Sequence, residues 1–124
     1  MSYPIGGIKQ TTVAVAATSA TRHLLLTPTS GLAIRIISVQ IVTRGLTTNP
    51  DRVGVYFGTG AAYTTTPANA IGEAVPGTTG ASFIGPWHVG EGPIGAKDAV
   101  VSGITETETE LALRYTIVYQ EESL

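Results

Sequence analysis

The chain has no cysteine, so disulfide bridges and cysteine-ligated zinc are excluded. It has little charge: 13% of its 124 residues, seven basic and nine acidic, for a formal net charge of −2. That is not the basic footprint of a nucleic-acid binder. No apolar run approaches the roughly 18 residues of a membrane span. The opening MSYPIGGIKQ lacks a basic stretch followed by an apolar one, so no secretory signal is read there, and the chain is expected to stay in the cytoplasm where it is made or to assemble there. There are two histidines, His23 and His88, and one tryptophan, Trp87.

What is present is apolar and small: 43% hydrophobic residues in short runs, with 15 glycines and 7 prolines. A chain of this length is expected to bury roughly two thirds of its unfolded surface, enough for one core without staples. The glycines follow no fixed period, which argues against a collagen-like or low-complexity chain.

The pattern is organised around Ala33 to Arg44, AIRIISVQIVTR, the most β-branched stretch in the chain. β-branched side chains suit a pleated, half-buried surface. Ile34 and Ile36 alternate with Arg35, but from Ile37 the apolar positions are Ile37, Val39 and Ile41. A strand of period two changes face only by an extra residue, so the sequence predicts a β-bulge near Ile36–Ile37, or a crossing between two sheets.

Before that stretch, residues 1–7 read as an extended N-terminal arm and 8–124 as one β-sandwich domain. Ile8–Thr18 and Thr21–Thr27 read as two strands joined as a hairpin. After it, Gly45–Asp51 reads as a loop, and Arg52–Gly58 as a strand with Val53, Val55 and Phe57 inward and Tyr56 outward. Pro67–Ala74 would make at most one helical turn, capped by Thr66. Because a long structureless loop is unusual in a compact domain, short strands are expected near Glu73–Val75 and Ser82–Ile84. Lys97–Ile104 and Leu111–Gln120 read as strands, with an exposed loop at Thr105–Glu110. The sum is seven or eight strands with almost no helix: an all-β antiparallel sandwich, most simply a jelly roll.

Catalytic constellations are sparse. His23 and His88 carry no local signature of a triad or metal pair. Glu106, Glu108 and Glu110 read as a solvated loop rather than an acid/base pair. Gly58-Thr59-Gly60 has no following Walker lysine and reads as a turn. No catalytic, cofactor-binding or metal site is therefore assigned. The aromatic residues Tyr56, Phe57, Tyr63, Phe83 and Trp87 would stack on sugar rings; the competing and preferred reading puts Phe57 and Phe83 in the core and Trp87 over one end of the sandwich.

The succession TTVAVAATSATRHLLLTP, SGLAIRIISVQIVT, VGVYFGTG, GPIGAKDAVVSG and LALRYTIVYQEE resembles the small head decoration, or cement, proteins of tailed bacteriophages, which carry a single jelly-roll-like domain. The resemblance implies a non-enzymatic virion component without cofactors, a homotrimer on the capsid exterior that binds the major capsid protein. It would touch neither nucleic acid nor membrane. On that reading the expected shell contacts are Tyr3, Pro4, Ile5, Ile8, Trp87 and His88, and the expected subunit interface holds Tyr115 and Tyr119. The alternative is a carbohydrate- or receptor-binding module of a phage fibre or tail.

Overall fold

A computed structural model describes residues 2–17, 22–44, 52–61, 69–105 and 111–124. Among them are eight strands and no helix: β1 (Tyr3–Ala17), β2 (His23–Leu26), β3 (Ala33–Thr43), β4 (Val53–Phe57), β5 (Ala70–Ala74), β6 (Gly80–Ile84), β7 (Val101–Thr105) and β8 (Leu111–Ser123). They form two antiparallel sheets of four, in the orders β1-β8-β3-β6 and β2-β7-β4-β5. Two facing sheets interleaved in this way are a jelly roll.

The pivotal stretch behaves as its pattern requires. β3 lies between β8 and β6, and its register with β8 slips between Ile36 and Ser38, leaving Ile37 as the bulged residue. On either side of the bulge Ile34, Ile36, Val39 and Ile41 are completely buried. The extra residue keeps both apolar sets on the same inner face. There they meet Leu113, Tyr115 and Ile117 of β8 and Val53, Val55, Phe57 and Val101 of the opposite sheet.

Several expectations need correction. The hairpin of the first two strands does not exist: β1 pairs with β8 and β2 with β7, in different sheets. A short link in sequence does not distinguish a turn within a sheet from a step between sheets, and in this topology only β4 and β5 are both consecutive and paired. The division at residues 1–7 and 8–124 falls inside β1, where Tyr3, Pro4 and Ile5 stand opposite Ser123, Glu122 and Glu121. Ala70–Ala74, expected in a helical turn, is strand β5; Gly72 and β-branched Ile71 favour that outcome. Thr66 lies outside the described residues, as do Tyr63, the whole Gly45–Asp51 loop and the Glu106–Glu110 tract. β7 starts only at Val101, because Lys97 and Asp98 form a turn in which Asp98 has a φ of 64°.

Candidate interaction surface

The strand registers put the two termini, the β2–β3 connection and the β6–β7 connection at one end of the sandwich. Polar residues that strand periodicity does not single out hold this end together. The last strand, expected to end at Gln120, continues as β8 through Ser123, and Glu121 and Glu122 are buried, 3% and 4% exposed.

Glu121 points toward the sandwich interior beside Ile34, its register partner. It accepts from Lys9 Nζ at 2.5 Å, from the Thr29 backbone N–H at 2.6 Å and from Thr29 Oγ1 at 2.9 Å. Burial alone would raise its pKa. The Lys9 ammonium and the two Thr29 donors outweigh that and hold it below the ordinary value of 4.5. The same bond to Glu121 raises the pKa of Lys9.

On the opposite face of the sheet Glu122 takes a forked pair of bonds from Arg35, Nε to one oxygen and Nη2 to the other at 3.1 Å. Arg35 Nη1 also donates to the Gly92 carbonyl at 2.8 Å. The Arg35 bonds lower the Glu122 pKa against the opposing effect of burial, and Ser2 assists. Arg35 was the visible signal: a lone guanidinium in a strand with six branched apolar residues needs a partner, and in this fold that partner is 87 positions away.

The segment from Gly85 to Gly95, irregular in sequence, is a strap along the edge of β3 that β6 leaves uncovered. Trp87 N–H donates to Ile37 O at 2.8 Å, Ile36 N–H to Pro93 O at 2.9 Å and Gly95 N–H to Ile34 O at 3.0 Å. The bulge frees the Ile37 carbonyl that receives the first of these. Contact is so close at Gly92 that a Cβ there would lie 1.9 Å from Ile36 O. At Gly85, with φ near 90°, a Cβ would meet the Trp87 ring at 2.8 Å. The Trp87 ring is half-buried against the core.

The residues expected to touch a shell therefore separate into two groups. Tyr3, Ile5 and Ile8 are 55%, 40% and 57% exposed on β1, next to exposed Leu124 and Pro4. His88 is exposed on the strap, while Trp87 is largely committed to packing. The two groups share one end of the molecule, but β8 and β3 lie between them, a separation of about 14 Å at ordinary strand spacing.

The expected subunit interface is corrected in part. Tyr115 is fully enclosed, with a hydroxyl that has no partner among the described residues, and burial pushes its pKa up. It is a core residue because β8 is an interior strand whose inner face meets the other sheet. Tyr119 is partly buried against the same core. Among the aromatics, Phe57 is enclosed as expected, but Phe83 is 61% exposed, standing opposite Gln40 on the outer face. Tyr56 does point away from the core, yet it is buried, and its hydroxyl donates to the Gly60 carbonyl. His23 is half-buried opposite Gly103; burial, with Arg22 alongside, lowers its pKa.

No known protein family and no curated protein matches the sequence. Solved structures do match in shape. A chain in the acid-stable capsid of Helicobacter pylori bacteriophage KHP30 superposes with a TM-score of 0.60 at 12% identity, covering 97% of this chain and 93% of that one. A chain in the capsid of Ralstonia phage GP4 gives 0.57 at 12% identity, covering 93% and 84%. A chain of the Bacillus endospore appendages, disulfide-linked pili, gives 0.47 at 12% identity, covering 92% and 86%. Identity this low speaks to the fold alone: the chain has an architecture found in phage capsids.

Proposed function

We propose that this chain is a non-enzymatic structural component of a phage virion, a decoration or cement protein that binds the major capsid protein on the capsid exterior as a trimer. It would be made in the host cytoplasm and join the shell there. The observation that carries the reading is the jelly-roll strand order, extending over nearly the whole chain and over nearly the whole of a chain in the KHP30 capsid. The low charge and the exposed apolar group at Tyr3, Ile5, Ile8 and Leu124 support it, since such a surface suits packing against protein. The sugar-binding alternative has less support, because Trp87 and Phe57 are engaged with the core.

Tyr3, Pro4, Ile5, Ile8 and His88 are the proposed shell contacts, and Tyr119 remains a proposed subunit contact. The test is co-sedimentation with capsids of the phage that carries this gene, prepared without this protein. Binding to the expanded shell is expected, and its loss when Tyr3, Ile5 and Ile8 are changed together to Ser. Failure of the unaltered protein to sediment with those capsids would overturn the reading.

A further inference from the structure

The four edge strands of the sandwich are unequal. β2 has four residues and a register slip between Leu24 and Leu26. β5 has five residues, a slip at its pairing with Tyr56, and Glu73 on its exposed side. β6 also has five residues. Short, bulged or charged edges are how native sheets avoid pairing with other chains. β1 is the exception: 15 residues long, with β8 as its one neighbour. Its irregularity is confined to Ile5–Lys9; from Lys9 to Ala17 the register is unbroken for nine residues. That run, KQTTVAVAA, holds one charge, at its start, and no proline. Among the described residues nothing pairs with its outer edge.

We infer that the Lys9–Ala17 edge of β1 pairs antiparallel with the same edge of a second copy of this chain, about a two-fold axis at Val13. The sequence is self-complementary in that register. Val13 meets Val13, Thr11 meets Val15 and Thr12 meets Ala14, so the core-side pairs are β-branched on both strands, the kind that stabilises a sheet. The outer-face pair Thr12 and Ala14 is small and exposed in the single chain. Lys9 of each copy falls at the Ala17 position of the other, so the two lysines stand at opposite ends and never face one another. Val13, only partly covered at the open side of the sandwich, becomes interior.

The pairing joins two four-stranded sheets into one of eight and removes the exposed edge from both. Being two-fold, it is a separate contact from any trimer interface and would link copies of different trimers on a shell.

The test is the molar mass of the purified protein by light scattering at tens of micromolar. An even number of chains, two or six, is expected; one or three would overturn the inference. Thr12→Lys with Ala14→Lys places lysine opposite lysine at two points, and Thr12→Glu with Ala14→Glu does the same with glutamates. Each double variant is expected to weaken the pairing at least roughly tenfold with an unchanged far-ultraviolet spectrum. An equimolar mixture of the two, which sets Lys against Glu, should restore the even mass. An even mass that neither variant lowers, or a mixture that stays apart, would place the contact elsewhere.

Discussion

At the scale of single residues, the carboxylates of β8 decide how this end of the molecule responds to change. Glu122 is buried and depends on the Arg35 fork. Removing one member of a buried pair leaves the other charge uncompensated, whereas removing both is far milder. Arg35→Ala is therefore expected to cost about 3 kcal/mol of unfolding free energy, read from the urea midpoint. The double variant Arg35→Met with Glu122→Leu should recover most of that loss, and no recovery would show that the pair is not coupled.

The pH response has a definite sign. Glu121 and Glu122 have folded-state pKa values below the ordinary 4.5, so their contribution is present above that value and lost as pH falls through the lowered folded values. Tyr115 is the opposite case: its pKa is raised from the ordinary 10.0, so its contribution holds below pH 10 and fades above it, where the unfolded chain ionises first. His23, whose pKa burial lowers from the ordinary 6.5, adds a loss that begins as pH falls below that value. A melting profile flat between about pH 7 and 9 is expected, with a shallow decline below about pH 6.5, a steeper one below about 4.5 and a fall above about pH 10. Replacing both glutamates by glutamine should remove most of the decline below pH 4.5 and leave the His23 part above it, and an unchanged decline below pH 4.5 would contradict the assignment.

At the scale of elements, what was legible in the sequence was what depends on alternation. The Ile36–Ile37 phase change foretold the bulge, and the alternation in Val53–Phe57 foretold the inner face of β4. Pairing partners were not legible, because a jelly roll sends nearly every consecutive strand to the other sheet; a local hairpin reading of β1 and β2 was bound to fail. Nor was the Glu121–Lys9–Thr29 cluster, whose members come together only once the termini lie side by side. Glycine and proline in the strap read as irregularity, though they serve close approach to β3. Gly92→Ala tests that element: with Ile36 O in the way of the new Cβ, the strap must lift. Faster amide exchange at Ile36 and Trp87 is expected, with little change at β4 and β7. Unaltered protection at Ile36 would show that the strap is not held there.

At the scale of the whole molecule, the two proposals give one strand two kinds of work. Tyr3, Ile5 and Ile8 at the start of β1 are the proposed shell contacts, and the regular Lys9–Ala17 edge is the proposed pairing site for another copy. A clip with both kinds of contact would stabilise an assembled lattice by binding it and not its separated parts. The most direct test of the virion reading is the thermal disruption of capsids of the phage carrying this gene, lacking this protein, with and without the purified chain added. The account predicts saturable binding and a higher disruption temperature, both lost when Tyr3, Ile5 and Ile8 are changed together to Ser. Capsids that neither bind the unaltered chain nor gain resistance to heat would contradict it.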